Sequence, residues 1–159
     1  MDDLPRRKKL RLDEYSYNQV GSYFITVVAA QRRLIFGQVL PSTTFQTAFV
    51  ELSDIGLLVK QEIDFLMNYH ENIMVDGFVI MPNHVHLMLS ISNSPAPDIS
   101  RIIRLWKGSI TKKAGHSIWH RSFHDHVVRN EQDYLRLMQY MENNPAQWEL
   151  DSLNCRGGL

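Results

Sequence analysis

Two histidines stand one residue apart in an otherwise apolar stretch, at His84 and His86 in "FVIMPNHVHLMLSI". Side chains alternate between the two faces of a β-strand, so both imidazoles would point to the same side of a sheet. Two neutral imidazoles side by side can bind one divalent cation and leave coordination positions open for water or a substrate. Histidines also occur on solvated strand faces that bind no metal, and the pair alone leaves both interpretations open.

A tyrosine and an asparagine near the end of the chain form a second candidate pair, Tyr140 and Asn144 in "DYLRLMQYMENNP". Positions i and i+4 of a helix lie one above the other, so a phenol and an amide oxygen could be presented together. The alternative is a partly buried helix aromatic followed by a capping asparagine. Asn144 also precedes Pro145, and a residue before proline is disfavoured in helical geometry. The buried side of this helix is predicted to consist of Leu135, Met138 and Met141.

Basic residues are clustered, although the formal net charge of the chain is zero. A net charge of zero does not by itself indicate a nucleic-acid-binding protein, but a basic cluster could still form a surface that contacts phosphates. The other interpretation is a solvated helix face and a loose tail. One cluster lies in a basic N-terminal tail of about residues 1–15 and contains Arg6, Arg7, Lys8, Lys9 and Arg11. A second cluster lies in one later segment and contains Arg101, Arg104, Lys107, Lys112 and Lys113.

The elements that would position these residues can be predicted from hydrophobic periodicity. The β-branched and aromatic run from Tyr23 to Ala30 predicts a buried strand. Apolar residues at helical spacing predict an amphipathic helix from Glu51 to His70. Two strands, "IMVDGFVIM" and "HVHLMLSIS", follow as a hairpin through Pro82 and Asn83.

The second half of the chain predicts two more helices around one irregular or strand-like segment. The first helix would be capped by Asp98 or Ser100, stop at Gly115 and bury an apolar stripe of Ile99, Ile102, Ile103 and Trp106. The segment "SIWHRSFHDHVVRN" predicts a buried irregular stretch or a short strand, and a last helix would run from about Glu131 to Glu142. This order predicts an α+β fold, a ferredoxin-like sandwich with a mainly antiparallel sheet.

Length and composition narrow the class of protein. A chain of 159 residues fits a single domain, residues 1–159. No apolar run approaches the roughly 18 residues that a membrane span needs, and "MDDLPRRKKLRL" lacks the apolar core of a secretory signal, so we expect a cytoplasmic protein without a membrane partner. Cys155 is the single cysteine. Any metal must therefore be held by histidine, oxygen or both.

Five blocks of the sequence, in order over nearly the whole chain, resemble the transposase IS200-like family. They are "GSYFITVVAAQRRLIFG", "VDGFVIMPNHVHLMLSI", "IIRLWKGSITKKAG", "IWHRSFHDHVVRNEQDY" and "YMENNPAQWELD". The resemblance is in particular to the REP-associated tyrosine transposase branch, within the wider HUH endonuclease class. The combination of "MPNHVHLML" and "YMENNP" in one short chain is far more specific than either block alone.

The resemblance implies a site and an activity. The metal ligands of the family fall on His84, His86 and Asn144, its nucleophile falls on Tyr140, and its cation is Mg²⁺ or Mn²⁺. It implies a transposase that cleaves and rejoins single-stranded DNA beside a hairpin through a 5′-phosphotyrosine, with a free 3′-hydroxyl and no nucleotide cofactor. The rival tyrosine, Tyr134, is less fixed by the motif. Further histidines of the "HRSFHDH" block, His120, His124 and His126, have no assigned metal role, and His124 and His126 are interpreted as structural or substrate-side residues.

Two other classes of function remain open from the sequence. The chain could be a DNA-binding protein that has the same fold but does not cleave DNA. It could also be a metal-dependent phosphodiesterase that uses water as the nucleophile, in which Tyr140 takes no part in the reaction. The basic residues would contact phosphates without reading the base sequence. The resemblance is compatible with a monomer and with a homodimer that exchanges the tyrosine helix.

Overall fold

The computed structural model describes residues 21–41, 48–151 and 153–154. The predicted N-terminal DNA-binding residues Arg6, Arg7, Lys8, Lys9 and Arg11, and Cys155, lie outside these ranges. The described strands are β1 (Gly21–Ala29), β2 (Gly37–Leu40), β3 (Phe49–Leu52), β4 (Ile73–Met81), β5 (His84–Ile91) and β6 (Trp119–Val127). The α-helices are α1 (Asp54–Leu66), α2 (Ile99–Ala114) and α3 (Glu131–Asn143).

Four of the strands form one sheet in the order β4-β5-β1-β6, and each neighbouring pair is antiparallel. The strand β1 is central, with β5 on one side and β6 on the other. This order, with helices after β1 and β5, is the ferredoxin-like arrangement, and the predicted α+β fold is confirmed. The stretch after Trp119 is a nine-residue edge strand rather than an irregular segment.

The strands β2 and β3 form a separate two-stranded antiparallel sheet, which the sequence did not predict. The prediction that the first helix begins at Glu51 was therefore wrong, because Glu51 pairs with Gln38 in this small sheet. The helix α1 begins at Asp54 instead. Ser53 has extended geometry, and its hydroxyl accepts a hydrogen bond from the Gly56 amide at 3.1 Å, which is the usual way a serine caps a helix.

One face of the main sheet packs against α1 and α2 in the larger hydrophobic core. The predicted stripe of α2 is buried there, and Trp106 is a core residue with no exposed surface. The ends of this helix are those the sequence predicts. Asp98 accepts a hydrogen bond from the Arg101 amide at 3.2 Å, and Gly115 ends the helix in the left-handed conformation at φ 81°.

The other face of the sheet is covered by α3 through a smaller apolar cluster of Phe24, Met88, Leu137 and Met141. The prediction that Leu135 is buried was wrong, since its side chain is 58% exposed and Leu137 takes the inward position. Gly77 lies beneath the helix, and a Cβ atom there would be 2.9 Å from Met138 Cε. The missing side chain lets α3 approach the sheet closely.

None of the helices in the described ranges is both long enough and apolar enough to cross a membrane.

Candidate functional site

The strand β5 directs His84 and His86 to the face of the sheet that α3 covers. Their neighbours Val85 and Leu87 point into the larger core on the other face, as the two-residue period of a strand requires. The imidazole centroids are 4.7 Å apart. Because α3 and the segment after it lie over this face, His84 has no exposed surface and His86 is only 4% exposed.

Each imidazole is oriented by a hydrogen bond at Nδ1. Asn83 Oδ1 lies 2.8 Å from His84 Nδ1, and Thr26 Oγ1 lies 2.8 Å from His86 Nδ1. The amide orientation of Asn83 is fixed because its Nδ2 donates to the carbonyl oxygens of Arg32 and Leu153. Asn83 Oδ1 can only accept, so His84 carries its proton on Nδ1 and offers the lone pair of Nε2.

Four buried polar atoms in this region have no hydrogen-bond partner among the described residues: His84 Nε2, His86 Nε2, Asn144 Oδ1 and Asp151 Oδ2. Most buried polar atoms in proteins are hydrogen-bonded, so a group of four such atoms calls for an explanation. Imidazole nitrogen and amide or carboxylate oxygen are ligand types suited to Mg²⁺ and Mn²⁺. No group of three or more His, Cys, Asp or Glu side chains suited to a metal ion is found in the described ranges, so the candidate ligand set of His84 and His86 is completed by the amide oxygen of Asn144.

Burial sets the protonation state of both imidazoles. It lowers the pKa of His84 from 6.5 to about 4, although the Asp151 carboxylate and the Asn144 side chain oppose the shift. It lowers the pKa of His86 from 6.5 to about 3, and repulsion from His84 adds to the effect. Both rings are therefore neutral at pH 7, which is the form that binds a metal ion.

The last helix, α3, places Tyr140 next to the histidine pair. Its ring lies edge-on to His86, with centroids 5.5 Å apart and an interplanar angle of 62°. A second edge contact, to Phe24, has centroids 6.3 Å apart. The Tyr140 residue is 42% exposed, so one edge of its ring packs on the site while the rest of the side chain is accessible to solvent.

Asn144 keeps helical geometry although it precedes proline, with φ −58° and ψ −45°. The doubt that Pro145 raised about this position is therefore removed. The Asn144 amide donates to the Met141 carbonyl at 3.2 Å, so the last turn is tighter than a regular α-helical turn. Its side chain is buried at 3% exposure, while Tyr140 one turn earlier remains accessible.

The rival tyrosine, Tyr134, is engaged elsewhere. Its hydroxyl donates to Asp76 Oδ2 at 2.8 Å, and the Ser90 hydroxyl donates to the same carboxylate oxygen. Burial and the Asp76 carboxylate raise the pKa of Tyr134. A phenol that is harder to deprotonate is a poorer nucleophile, and this supports Tyr140 over Tyr134.

The histidines of β6 have different surroundings. His126 Nε2 lies 2.7 Å from Asp133 Oδ2 at the start of α3, and the hydrogen bonds from His126 and Arg136 lower the pKa of Asp133. His124 is exposed and pairs across the sheet with Thr26, which pairs on its other side with His86. His126 therefore has a structural contact, and His124 lies on the same face as the histidine pair.

The basic residues of α2 lie on the opposite face of the sheet from His84 and His86. Lys113 pairs with the buried carboxylate of Glu62. Lys107 donates to the His120 carbonyl at 2.8 Å, and burial lowers the pKa of this lysine. The exposed members of the set are Arg101, Arg104 and Lys112, with Lys113 partly so.

Three residues of the site, Thr26, Asn83 and Asp151, were not singled out by the sequence. Asn83 belongs to the "MPNHVH" block, where the sequence pattern predicts only a turn residue. Thr26 carried no signal beyond its place in a predicted strand. Asp151 follows the "NNP" turn, and nothing in its local sequence distinguishes it from a surface aspartate.

Known proteins resemble this chain in sequence and in fold. No protein-family model matches the chain. An uncharacterized protein of Haemophilus influenzae is 30% identical over an alignment 172 positions long, which covers 92% of this chain and 92% of that protein. The REP-associated tyrosine transposase of Escherichia coli is 26% identical over 132 residues, 82% of this chain and 70% of the transposase.

A solved structure shares the fold. It is a REP-associated tyrosine transposase bound to a REP hairpin, and it superposes with a TM-score of 0.66 over 87% of this chain and 74% of that chain, at 20% identity. In sequence and in fold the chain is similar to REP-associated tyrosine transposases, in line with the transposase IS200-like family that its sequence blocks resemble.

Proposed function

We propose that this transposase cleaves and rejoins single-stranded DNA beside a hairpin, with Tyr140 as the nucleophile and a 5′-phosphotyrosine as the intermediate. One observation carries the proposal. The phenol ring of Tyr140 packs against His86 at a centroid distance of 5.5 Å, where two imidazole nitrogens and an amide oxygen are buried without partners in the described ranges. A nucleophile beside an unsatisfied set of metal-ligand atoms is what metal-assisted transesterification needs.

The side chains of His84, His86 and Asn144 would hold Mg²⁺ or Mn²⁺. When bound, such a cation supplies Lewis-acid polarisation of a phosphate oxygen. The chain contributes the fixed orientation of the ligands. Asn83 and Thr26 hold the two Nδ1 atoms at 2.8 Å each, so both Nε2 atoms are directed away from these bonds.

In the proposed step, the Tyr140 oxygen attacks phosphorus as the bond from phosphorus to the 3′-oxygen breaks. The electron pair of that bond leaves with the 3′-oxygen, and the proton lost by the phenol balances the proton gained by the leaving 3′-oxygen. One phosphodiester replaces another, so a second 3′-hydroxyl can reverse the step on a new strand. Because Tyr140 is 42% exposed, a strand can reach its hydroxyl without opening the core.

The DNA surface would have two parts. The strand to be cut would lie on the face that carries Tyr140 and His86, near the exposed His124 of β6. The exposed basic residues of α2 lie on the other face, and they would contact phosphates of a hairpin arm as it passes the edge of the sheet. The solved relative bound to a REP hairpin supports a hairpin as the substrate class.

A covalent adduct tests the proposal. The full-length protein is incubated with Mn²⁺ and a labelled single strand carrying a hairpin, and denaturing electrophoresis is followed by mass spectrometry of the tyrosine peptides. We expect a denaturation-resistant complex on Tyr140 that is absent in Tyr140→Phe and in His84→Ala. Tyr134→Phe is the matched control and should keep the adduct, because the hydroxyl of Tyr134 is bound to Asp76.

Other results would identify a different function. Cleavage by Tyr140→Phe without an adduct would support the phosphodiesterase that uses water. An adduct on Tyr134 would show that the assignment of Tyr140 as the nucleophile is wrong. Binding of the hairpin by the wild type without any cleavage in Mn²⁺ would support a DNA-binding protein that has lost the reaction.

A further inference from the structure

We propose that Asp151 supplies the negative charge of the cation site formed by His84, His86 and Asn144. The inference rests on the proposed function, since it concerns the same cation. It adds a residue that lies beyond the last helix and outside the expected ligand set.

The carboxylate of Asp151 is aimed at the site by its own backbone. Asp151 follows a short 3₁₀ turn, Trp148–Leu150, and its Oδ1 accepts a hydrogen bond from the Leu153 amide at 2.8 Å. The other oxygen, Oδ2, lies 3.6 Å from His84 Nε2, and the side chain is 7% exposed. Oδ2 has no hydrogen-bond partner in the described part of the chain. Oδ1 therefore stabilises the local turn, whereas Oδ2 faces the site.

The nitrogen that faces Asp151 is the one that would bind the cation. His84 Nδ1 is engaged by Asn83, so Nε2 is the free ligand atom. A separation of 3.6 Å from Oδ2 is too long for a hydrogen bond. Two atoms that are each about 2.1 Å from one ion lie about 3 Å apart in an octahedral shell and about 3.5 Å apart in a tetrahedral one. The observed distance leaves the carboxylate within reach of an ion on Nε2.

Charge gives a second, independent reason. An imidazole binds a metal ion in its neutral form, and Asn144 is an amide, so the three expected ligands together bring no charge to the cation. A divalent cation in a buried neutral site loses hydration without a compensating charge. Protein sites for Mg²⁺ usually include a carboxylate.

Two other acidic side chains on this side of the sheet have partners. Asp76 is bound by Tyr134 and Ser90, and Asp133 by His126 and Arg136. Asp151 differs from them in having one carboxylate oxygen that is buried and unsatisfied within the described residues.

The segment that carries Asp151 is held against the histidines by several contacts. Asn83 Nδ2 donates to the Leu153 carbonyl at 2.6 Å, so one side chain orients His84 and fixes this segment together. The Trp148 ring lies 6.0 Å from the His84 ring, measured between centroids. The position of the carboxylate is thus set by the fold.

Manganese affinity tests the inference without using activity. Mn²⁺ is titrated into the full-length protein in the absence of DNA, and free Mn²⁺ is measured by its electron paramagnetic resonance signal. In Asp151→Asn the side-chain oxygen can still accept from the Leu153 amide, so the turn is kept while the charge is removed. We expect Asp151→Asn to bind Mn²⁺ about 10 to 100 times more weakly than the wild type, as for other residues that support a metal site. The matched control is Glu149→Gln, which removes an exposed charge two residues away and should leave the affinity unchanged.

The outcomes separate this inference from the proposed function. Equal Mn²⁺ affinity in Asp151→Asn and the wild type would overturn the role of Asp151 and leave the metal site intact. An equal loss in Glu149→Gln would also overturn it, because the effect would then be one of overall charge. A wild type that binds no Mn²⁺ at millimolar concentration would instead overturn the metal-dependent function itself. Recovery of the covalent adduct in Asp151→Asn at raised Mn²⁺ would support the inference, since a purely structural defect would not respond to the ion.

Discussion

Tyr140 and His86 of one and the same chain are in edge-to-face contact, with ring centroids 5.5 Å apart. The nucleophile that the sequence resemblance indicates and one of the imidazoles therefore meet without a second subunit. The contact depends on α3, which carries the tyrosine across the face of the sheet where β5 carries the histidines.

Removing the hydroxyl of Thr26 should weaken metal binding. Thr26→Val keeps the shape of the side chain but leaves His86 Nδ1 without its partner at 2.8 Å. We expect Mn²⁺ affinity to fall by about 10 to 100 times, the usual effect of losing a group that orients a ligand. Isothermal titration calorimetry measures the change. Thr26→Ser retains the hydroxyl and should keep most of the affinity, and a loss in Thr26→Ser as large as that in Thr26→Val would contradict the role of the hydroxyl.

The stability of the metal-free protein should fall as the pH is lowered from 6.5 to 5. In that range the unfolded chain protonates its histidines, whereas burial keeps His84 neutral down to about pH 4 and His86 down to about pH 3. The unfolded state then binds more protons, so acid favours unfolding, by about 2 kcal/mol per buried histidine over this range. Urea unfolding in EDTA at pH 7 and pH 5 measures the loss.

A variant isolates the contribution of one ring to this pH dependence. His86→Gln has no imidazole to protonate at that position, so the difference in unfolding free energy between pH 7 and pH 5 should be smaller than in the wild type. The exposed His120 is the matched control, and His120→Gln should leave the difference unchanged. An identical pH dependence in wild type and His86→Gln would contradict a neutral, buried His86.

The sequence predicted the parts of the site that depend on local periodicity. A two-residue period places His84 and His86 together in any strand, and the helical period places Tyr140 near Asn144. The order of strands and helices was enough for the ferredoxin-like fold. The capping residues of α2 were also predictable, because they act within one turn of the chain.

The rest depended on contacts between distant segments. The burial of His84 comes from packing by α3 and by residues near Trp148, which a strand pattern cannot show. Leu135 was assigned to the wrong side of α3 because the inward direction depends on how the helix crosses the sheet. The β2–β3 pairing joins two short segments without strong alternation. Asp151 reaches His84 only through the chain turn that follows α3.

The ion pair of Lys113 with Glu62 should contribute more to stability than to DNA binding. Glu62 is 2% exposed and accepts from both Lys113 and Ser109. Lys113→Met would leave this buried carboxylate with one partner, and we expect a loss of about 1 to 3 kcal/mol in the free energy of unfolding. Urea unfolding measures it. Lys112→Met, at an exposed neighbour, should change stability by no more than about 0.5 kcal/mol.

Adding Glu62→Gln to Lys113→Met should restore part of the stability, because the uncompensated charge is then removed. The double-mutant cycle gives the interaction energy between the two side chains. If the losses in free energy of unfolding of the two single variants simply added in the double variant, Lys113 and Glu62 would not interact. Binding of a hairpin strand by Lys113→Met should fall less than binding by Arg104→Met, whose side chain is exposed.

A methyl group at Gly77 should impair the reaction more than the fold. In Gly77→Ala the new Cβ would lie 2.9 Å from Met138 Cε and 3.4 Å from Met141 Cε. Both contacts are with the ends of flexible side chains, so we expect a stability loss of only about 1 kcal/mol as they move aside. Any part of the contact that the two methionines do not relieve shifts α3 outward, and with it Tyr140 and Asn144, the proposed nucleophile and the proposed ligand. A shift of about 1 Å at reacting groups can lower a rate by about 100-fold.

Two measurements on Gly77→Ala check this prediction. The rate of adduct formation with a hairpin strand is measured at saturating Mn²⁺, and the free energy of unfolding is measured in urea. Gly108→Ala is the matched control. No atom lies within 4 Å of a Cβ built at Gly108, and this residue is on the exposed side of α2, so alanine should raise helix stability by up to about 1 kcal/mol. Its adduct yield should equal that of the wild type, because α2 lies across the sheet from the site. Normal adduct formation in Gly77→Ala would mean that the seating of α3 on the sheet does not set the position of Tyr140.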